Sequence, residues 1–197
     1  DIVTVQGEKS GHDIGKITMT GELVALQMTR KKRDTNKDPL KKIYRISSDN
    51  DIEKWNSAIK KEGKILEKAK RIIDRLEIEM KLADVELQAD NSKATFYYTA
   101  EKRVDFRELI RQYSAQFGIR VEMRQIGARQ ESAKLGGIGS CGRELCCSTW
   151  MTQFPSVSTS AARYQQLSIN PQKISGQCGR LKCCLNFELD GYAEALK

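Results

Sequence analysis

One nine-residue cysteine pattern occurs twice near the C-terminal end of the sequence, and it constrains the fold more than any other feature. Residues 139–147 read G-S-C-G-R-E-L-C-C and residues 176–184 read G-Q-C-G-R-L-K-C-C, so the pattern G-x-C-G-R-x-x-C-C repeats at an offset of 37 residues. All six cysteines lie in these two copies. Buried structural cysteines would instead be scattered singly along apolar runs. This concentration predicts metal-ligating or redox-active thiols.

The spacing of the thiols narrows the chemistry to two kinds of metal site. A C-x4-C spacing occurs among iron–sulfur ligand sets, whereas zinc sites usually use C-x2-C pairs. Thiolate-only ligation suits either, and the single histidine of the chain is too few for a site that needs two. The candidate metal ligands are Cys141, Cys146, Cys147, Cys178, Cys183 and Cys184.

Two ligand arrangements are open from the sequence. In one, Cys141, Cys178 and one thiol of each adjacent pair form a four-thiolate site with pseudo-two-fold symmetry. In the other, each copy holds its own centre with three thiols, and a partner chain or small thiol completes it. If the backbone is extended, the two thiols of an adjacent pair project to opposite faces, so we expect each pair seldom to give both sulfurs to one iron or zinc.

Glycines and arginines occupy matching places around the thiols in both copies. Glycines let the backbone fold close to an anionic centre with amide N–H groups turned inward. An arginine in each copy could offset the negative charge of the centre or hydrogen-bond a sulfur; the alternative is an exposed arginine retained by duplication. These surrounding candidates are Gly139, Gly142, Arg143, Gly176, Gly179 and Arg180.

The composition favours a folded protein that carries a strongly basic segment. The chain has 197 residues, 39% of them hydrophobic and 30% charged, with a net charge of +8. Because it has no run of about 18 apolar residues and no leader-like N-terminus, we expect no membrane-spanning segment and a cytoplasmic location. Residues 30–45 hold eight basic and two acidic side chains, a net charge of +6.

Such a run attracts phosphate backbones, an anionic membrane surface or an acidic partner. The alternative is a solvated loop, since no aromatic residue interleaves the run before Ile43 to stack on bases. The candidate contacts for a nucleic acid or acidic partner are Arg30, Lys31, Lys32, Arg33, Lys41 and Lys42.

Apolar periodicity predicts an α+β fold. Short alternating stretches up to Met28, broken by Gly15 and Gly21, indicate strands of a small N-terminal β module. Alternating residues at 78–87 and 94–99 then predict a hairpin, and a helix and a third strand follow it. The predicted segments are a β module with the basic segment (1–48), a long amphipathic helix (49–76), an α+β layer of hairpin, helix and strand (77–130), and a duplicated cysteine-rich metal-binding region (131–197).

The long helix has a narrow apolar seam. Ser48 or Asp49 is the predicted cap, and Gly63 is expected to bend or break the helix near its middle. The seam alternates spacings of three and four, which favours a partner helix; packing on its own domain is the alternative. The candidate partner face is Ile52, Trp55, Ile59, Leu66 and Ile73.

Several blocks of the sequence resemble the RicT family, also called YaaT. The most specific are L-G-G-I-G-S-C-G-R-E-L-C-C-S-T-W at 135–150 and S-I-N-P-Q-K-I-S-G-Q-C-G-R-L-K-C-C at 168–184. Three further blocks also fit: G-K-I-T-M-T-G-E-L-V at 15–24, F-Y-Y-T-A-E-K-R-V-D-F-R-E-L-I at 96–110 and E-M-R-Q-I-G at 122–127. The resemblance therefore covers nearly the whole chain.

The resemblance implies a non-enzymatic regulatory subunit. RicT-like proteins join two small helical partners, RicA and RicF, in a cytoplasmic complex that carries 4Fe-4S clusters and works with ribonuclease Y in the maturation of mRNA. It also implies that the six cysteines are cluster ligands, without assigning individual thiols to a cluster.

Two other functional classes are weighed against this subunit. A zinc-stabilised RNA-binding or protein-interaction module would use the same thiols without redox chemistry. A thiol–disulfide oxidoreductase is disfavoured because the usual C-x-x-C at a helix start is missing. The sequence also lacks a G-x-x-x-x-G-K phosphate loop and an H-E-x-x-H motif, so we expect no enzyme of those classes.

Overall fold

The computed structural model describes residues 1–7, 11–30 and 40–196. Helices and strands are both present, so the predicted α+β class is confirmed. The chain forms two compact units, Asp1–Tyr97 with Lys102–Arg124 and Tyr98–Glu101 with Gln125–Lys197. The predicted cysteine-rich segment lies in the second unit. Within the described ranges, no helix combines the length and apolar character that crossing a membrane requires.

The first unit begins with a three-stranded antiparallel sheet. Its strands are β1 (Ile2–Gln6), β2 (His12–Lys16) and β3 (Ile43–Ile46), in the order β2-β1-β3. Val3 and Thr4 of the central strand are buried, whereas every residue of the edge strand β3 is exposed. These strands form the predicted N-terminal β module.

The module also contains a helix that the sequence reading missed. Residues 22–28 were expected to be strand, but they belong to α1 (Glu22–Arg30), so that prediction is wrong. The segment E-L-V-A-L-Q-M-T-R consists mainly of strong helix formers, and Gly21 precedes it with a φ of +65°. Leu23 and Leu26 are 61% and 67% exposed. The spacing of these apolar residues resembles that of a strand, but it does not mark a buried face.

The long helix α2 (Asp49–Arg75) begins where the sequence predicts. Ser48 is the N-cap: its Oγ accepts from the backbone N–H of Asp51, and the Asp51 carboxylate accepts from the backbone N–H of Ser48 at 2.8 Å. The helix is not broken at Gly63, through which it continues without interruption, and a bend there stays a prediction. A cost of about 1 kcal/mol for glycine is small beside the packing of 27 helical residues.

The second layer of this unit is the predicted hairpin, helix and strand. It consists of β4 (Lys81–Leu87), β5 (Lys93–Thr99), α3 (Arg107–Phe117) and β6 (Arg120–Gln125), with the sheet order β4-β5-β6. The first strand starts later than its alternating pattern suggests, since Ile78 and Met80 lie before it. Their carbonyl and amide groups are instead used in a turn, where Met80 N donates to Ile78 O at 2.8 Å.

The core of the first unit lies between α2, α3 and the second sheet. Phe96 and Tyr113 are fully buried with ring centroids 4.6 Å apart. The Tyr113 hydroxyl donates to the carbonyl of Ala69 at 3.0 Å, which joins α3 to α2. Burial raises the pKa of Tyr113, so the phenol stays protonated and remains a donor.

Short helices form most of the second unit. They are α4 (Ala128–Leu135), α5 (Cys146–Thr149), α6 (Thr159–Tyr164), α7 (Pro171–Ile174), α8 (Cys183–Phe187) and α9 (Leu189–Ala195). A small apolar core holds α6, α7 and α8 together, formed by Ala161, Ala162, Ile174 and Leu185. The unit thus has few buried apolar residues for its length.

Candidate metal centre

Each copy of the cysteine pattern folds into the same tight turn. In the first copy, Gly139 N donates to Arg143 O at 2.8 Å and Gly142 N donates to Gly139 O at 2.9 Å. The second copy repeats these bonds at 2.8 and 3.0 Å, with Gly176, Arg180 and Gly179 in the equivalent places. The repeated sequence therefore encodes a repeated local structure.

The glycine after the first cysteine of each copy is required by backbone geometry. Gly142 has a φ of +79° and Gly179 has a φ of +72°, a left-handed conformation that side-chain-bearing residues rarely adopt. This turn reverses the chain between the first cysteine and the adjacent pair. The turn brings together thiols that are separated by four intervening residues in the sequence, and they line the same cavity.

The adjacent cysteines begin short helices and are not extended. Cys146 is the first residue of α5 and Cys183 is the first residue of α8. The extended backbone for which we expected the two thiols of a pair to point to opposite faces is therefore not present at these positions. Successive side chains on a helix diverge by about 100° instead of about 180°. Both thiols of a pair can consequently face the same space.

All six thiols line one cavity of about 420 Å³ in the second unit. They are free thiols, with Cys141 exposed and the other five half-buried. Among the described residues, no three His, Cys, Asp or Glu side chains stand close enough together to hold a single metal ion. The thiols thus surround a space, and a donor set made only of sulfur suits zinc or an iron–sulfur cluster.

Thiols of the two copies influence one another across the cavity. Burial raises the pKa of Cys146, and the neighbouring thiol of Cys183 raises it further. Burial also raises the pKa of Cys147, to which Cys178 of the other copy contributes. The pKa of Cys184 is raised by burial and by Glu188. These thiols are therefore protonated at neutral pH, and a metal that binds them must displace protons.

The glycines and arginines predicted around the thiols separate into two groups. Gly139 and Gly176 line the cavity. Arg143 and Arg180 are exposed, and neither is among the residues that line it. Both arginines therefore occupy exposed positions, which was the alternative that we considered for them.

Sequence reasoning missed one cation in the cavity wall, Arg129. It lies at the start of α4, which packs against α5. Its guanidinium is 5.1 Å from the centroid of the Phe154 ring, and its Nη2 donates to the carbonyl of Leu181 at 3.4 Å. No sequence signal marks this arginine, because it lies outside both copies and only the packing of α4 places it there.

The basic segment is only partly described. Arg30 ends α1, and Lys41 and Lys42 are exposed beside β3. The remaining predicted contacts, Lys31, Lys32 and Arg33, lie outside the described residues. Its role as a nucleic-acid or acidic-partner contact stays a prediction.

The candidate partner face of α2 divides along its length. Ile73 is 5% exposed and packs within the first unit, while Ile52, Trp55 and Leu66 are half-buried. Ile59 is 44% exposed. Packing on its own domain therefore accounts for the C-terminal part of the seam, and Ile59 is the seam residue most available to a partner.

Two segments of the chain match conserved regions of one protein family. Residues 41–126 match the PSP1 C-terminal conserved region, and residues 156–197 match the third domain of PSP1-like proteins. The chain belongs to the PSP1 family. The first match covers the long helix with the layer that packs on it, and the second contains the second cysteine copy.

Curated relatives of this PSP1 family member include a bacterial and a fungal protein. Stage 0 sporulation protein YaaT of Bacillus subtilis is 45% identical over 157 residues, which are 80% of this chain and 57% of that protein. The predicted resemblance to the RicT (YaaT) family is thereby confirmed. An uncharacterised protein of Schizosaccharomyces pombe is 28% identical over 93 residues, 47% of this chain and 12% of that protein. The match thus spans little more than half of the bacterial relative, and no solved structure matches the chain.

Proposed function

We propose that this chain is a non-enzymatic regulatory subunit that binds a 4Fe-4S cluster through thiols of both cysteine copies. The observation that carries the proposal is the single cavity of about 420 Å³ lined by all six thiols. A zinc ion draws its four sulfurs to about 2.3 Å, which requires little space. A polynuclear cluster makes better use of a cavity of this size, and cysteine thiolates are its usual ligands.

Cys141 and Cys178, each with one thiol of its adjacent pair, would hold the cluster. The matched turns present these thiols from opposite copies, and the short helices α5 and α8 turn the adjacent pairs inward. When bound, the cluster supplies a redox-active and oxygen-sensitive group. The protein's part is to bury five of the thiols partially, which limits the access of solvent to the centre.

The proposed context is a cytoplasmic complex that modulates mRNA processing. The name of the Bacillus relative connects that protein with stage 0 of sporulation. Resemblance to the RicT family points to RicA-like and RicF-like helical subunits and to a ribonuclease Y-like nuclease. The one histidine of the chain, His12, is far from the cysteines in the sequence, and the phosphate-loop and zinc-protease motifs are missing. We therefore assign RNA cleavage to the nuclease partner.

Anaerobic purification of the tagged chain from its source tests this function. We expect visible absorption typical of an iron–sulfur cluster, helical subunits and a ribonuclease Y-like nuclease in the same complex, and no RNA cleavage by the chain alone. Stoichiometric zinc without visible absorption would support the alternative of a zinc-stabilised RNA-binding or protein-interaction module. RNA cleavage by the metal-loaded chain alone would contradict the regulatory role.

A further inference from the structure

Arg129 lies in the wall of the thiol cavity, and its guanidinium contacts the second copy of the pattern. It is half-buried on α4, and α4 packs against α5, the helix that begins with Cys146. Its Nη2 reaches the carbonyl of Leu181, which lies in the second copy between Arg180 and Lys182. The guanidinium therefore joins α4 to the second copy beside the thiols of the first.

An aromatic ring holds the other side of the guanidinium. The central carbon of Arg129 is 5.1 Å from the centroid of Phe154, within the range of a cation–π contact. With one partner on the ring face and another at a backbone carbonyl, the planar group has a restricted set of orientations. The positive charge of Arg129 is consequently held at the cavity wall.

A centre held by four thiolates needs such a charge. Four thiolates contribute four negative charges, so a divalent ion bound by them leaves an excess of about two negative charges in a partly buried space. Opposite charge nearby lowers the free energy of that state. Among the described residues, Lys182 is the other basic side chain in the wall, and its ammonium already donates to the carbonyl of Lys173 at 2.6 Å.

We propose that Arg129 is the positioning residue that offsets the charge of the thiolate-bound centre in this cavity. The inference rests on the proposed function and adds a residue to it that lies outside the cysteine pattern. Arg143 and Arg180, the arginines within the pattern, do not line the cavity and do not share this role.

Binding of Co²⁺ to the anaerobic, metal-free chain tests the role of Arg129, with thiolate-to-cobalt absorption as the readout. Arg129→Gln removes the charge, Arg129→Lys retains it, and Arg143→Gln removes the same charge from an exposed position of the pattern. We expect Arg129→Gln to weaken Co²⁺ binding by about tenfold or more, as loss of residues that support metal ligands typically does. Arg129→Lys should recover most of the affinity, and Arg143→Gln should bind as the unchanged chain does.

The reduction potential of the reconstituted iron–sulfur cluster is a second readout. If Arg129 had only a structural role, its replacement would not shift this potential in a predictable direction. We expect a more negative potential in Arg129→Gln than in Arg129→Lys, because a lost positive charge disfavours the reduced cluster. Unchanged Co²⁺ affinity in Arg129→Gln would overturn the proposal. Equal losses in the Gln and Lys variants would also overturn it, since the contacts and not the charge would then matter.

Two controls keep the outcomes distinct. Far-ultraviolet circular dichroism shows whether Arg129→Gln folds; if it does not, the lysine variant decides, with near-normal affinity supporting the proposal and a loss of about tenfold contradicting it. If the unchanged chain binds neither Co²⁺ nor a cluster, the proposed function fails first. If the unchanged chain and Arg129→Gln bind metal equally well, only the proposed role of Arg129 is refuted.

Discussion

The rings of Trp150 and Phe187 meet edge to face, with centroids 4.7 Å apart and planes inclined at 65°. Each ring lies three residues after the last cysteine of its copy, so the two positions are equivalent under the 37-residue repeat. A contact between equivalent positions is what an approximate two-fold relation between the copies produces. The influence of Cys183 on Cys146, also equivalent positions, follows the same relation.

The ring pair should stabilise the second unit cooperatively. Edge-to-face pairs contribute about 0.5–1.5 kcal/mol beyond their buried area, so Trp150→Ala and Phe187→Ala should show a coupling free energy of that size in a double-mutant cycle. Urea unfolding followed by circular dichroism measures it. A parallel cycle of Trp150→Ala with Tyr192→Ala, an exposed ring outside the pair, serves as the control. Equal coupling in both cycles would show that the ring contact has no special contribution.

The N-cap of α2 should make the free energy of unfolding decrease at low pH. The guanidinium of Arg45 and the hydroxyl and backbone N–H of Ser48 hold the pKa of Asp51 well below its usual range. A carboxyl with a lowered pKa stabilises the fold above its ordinary pKa of about 4 and loses that contribution as the pH falls further. We expect Asp51→Asn to flatten the fall of unfolding free energy below about pH 4. Asp49→Asn, in the same turn but outside the cap, should leave that slope unchanged.

The exposed part of the α2 seam should bind a helical partner subunit. Because Ile59 is 44% exposed and Leu66 is half-buried, we expect Ile59→Glu with Leu66→Glu to abolish co-purification of the partner. Ile59→Glu alone should weaken binding with little effect on thermal unfolding. Lys60→Glu, at the adjacent exposed position, is the control. Retained partner binding by the double variant would leave internal packing as the role of the seam.

The basic segment should make RNA binding sensitive to salt. On single strands the logarithm of affinity falls with the logarithm of salt concentration by about 0.7 per neutralised phosphate. We therefore expect alanine at Lys31, Lys32, Lys41 and Lys42 to flatten this slope by up to about 2.8. Alanine at four exposed lysines of α2 removes the same charge as a control: Lys60, Lys61, Lys64 and Lys68. Salt-insensitive binding, or none, would assign the segment to a protein interface or to solvent.

Elements with strong local signals could be predicted from the sequence. The cap at Ser48, the hairpin around the turn at 90–92 and the helix end at Gly118 follow from side-chain and backbone chemistry within a few residues. The prediction failed for α1 because Leu23 and Leu26 are exposed, so their spacing carries no information about a buried face. The helix α2 is not broken at Gly63 because tertiary packing exceeds the local cost of one glycine.

The thiols that line the cavity could be predicted from the sequence, but their geometry could not. Duplication identifies the six thiols, but an adjacent pair has different geometry in a strand and in a helix, and the sequence alone does not decide between them. Arg143 and Arg180 belong to the repeated pattern, but neither lines the cavity. Arg129 enters the wall through the packing of α4 against α5, a contact between segments that no short motif records.

Metal analysis of the anaerobically purified chain tests most directly whether both cysteine copies hold one centre. Iron, sulfide and zinc per chain are measured together with the visible spectrum, in the unchanged chain and in Cys141→Ser and Cys178→Ser. Ser140→Ala, which alters the cavity wall without removing a thiol, is the matched control. The account predicts iron with sulfide in the unchanged chain and in the control, and a strong loss in each cysteine variant. Unchanged metal content in both cysteine variants would contradict it.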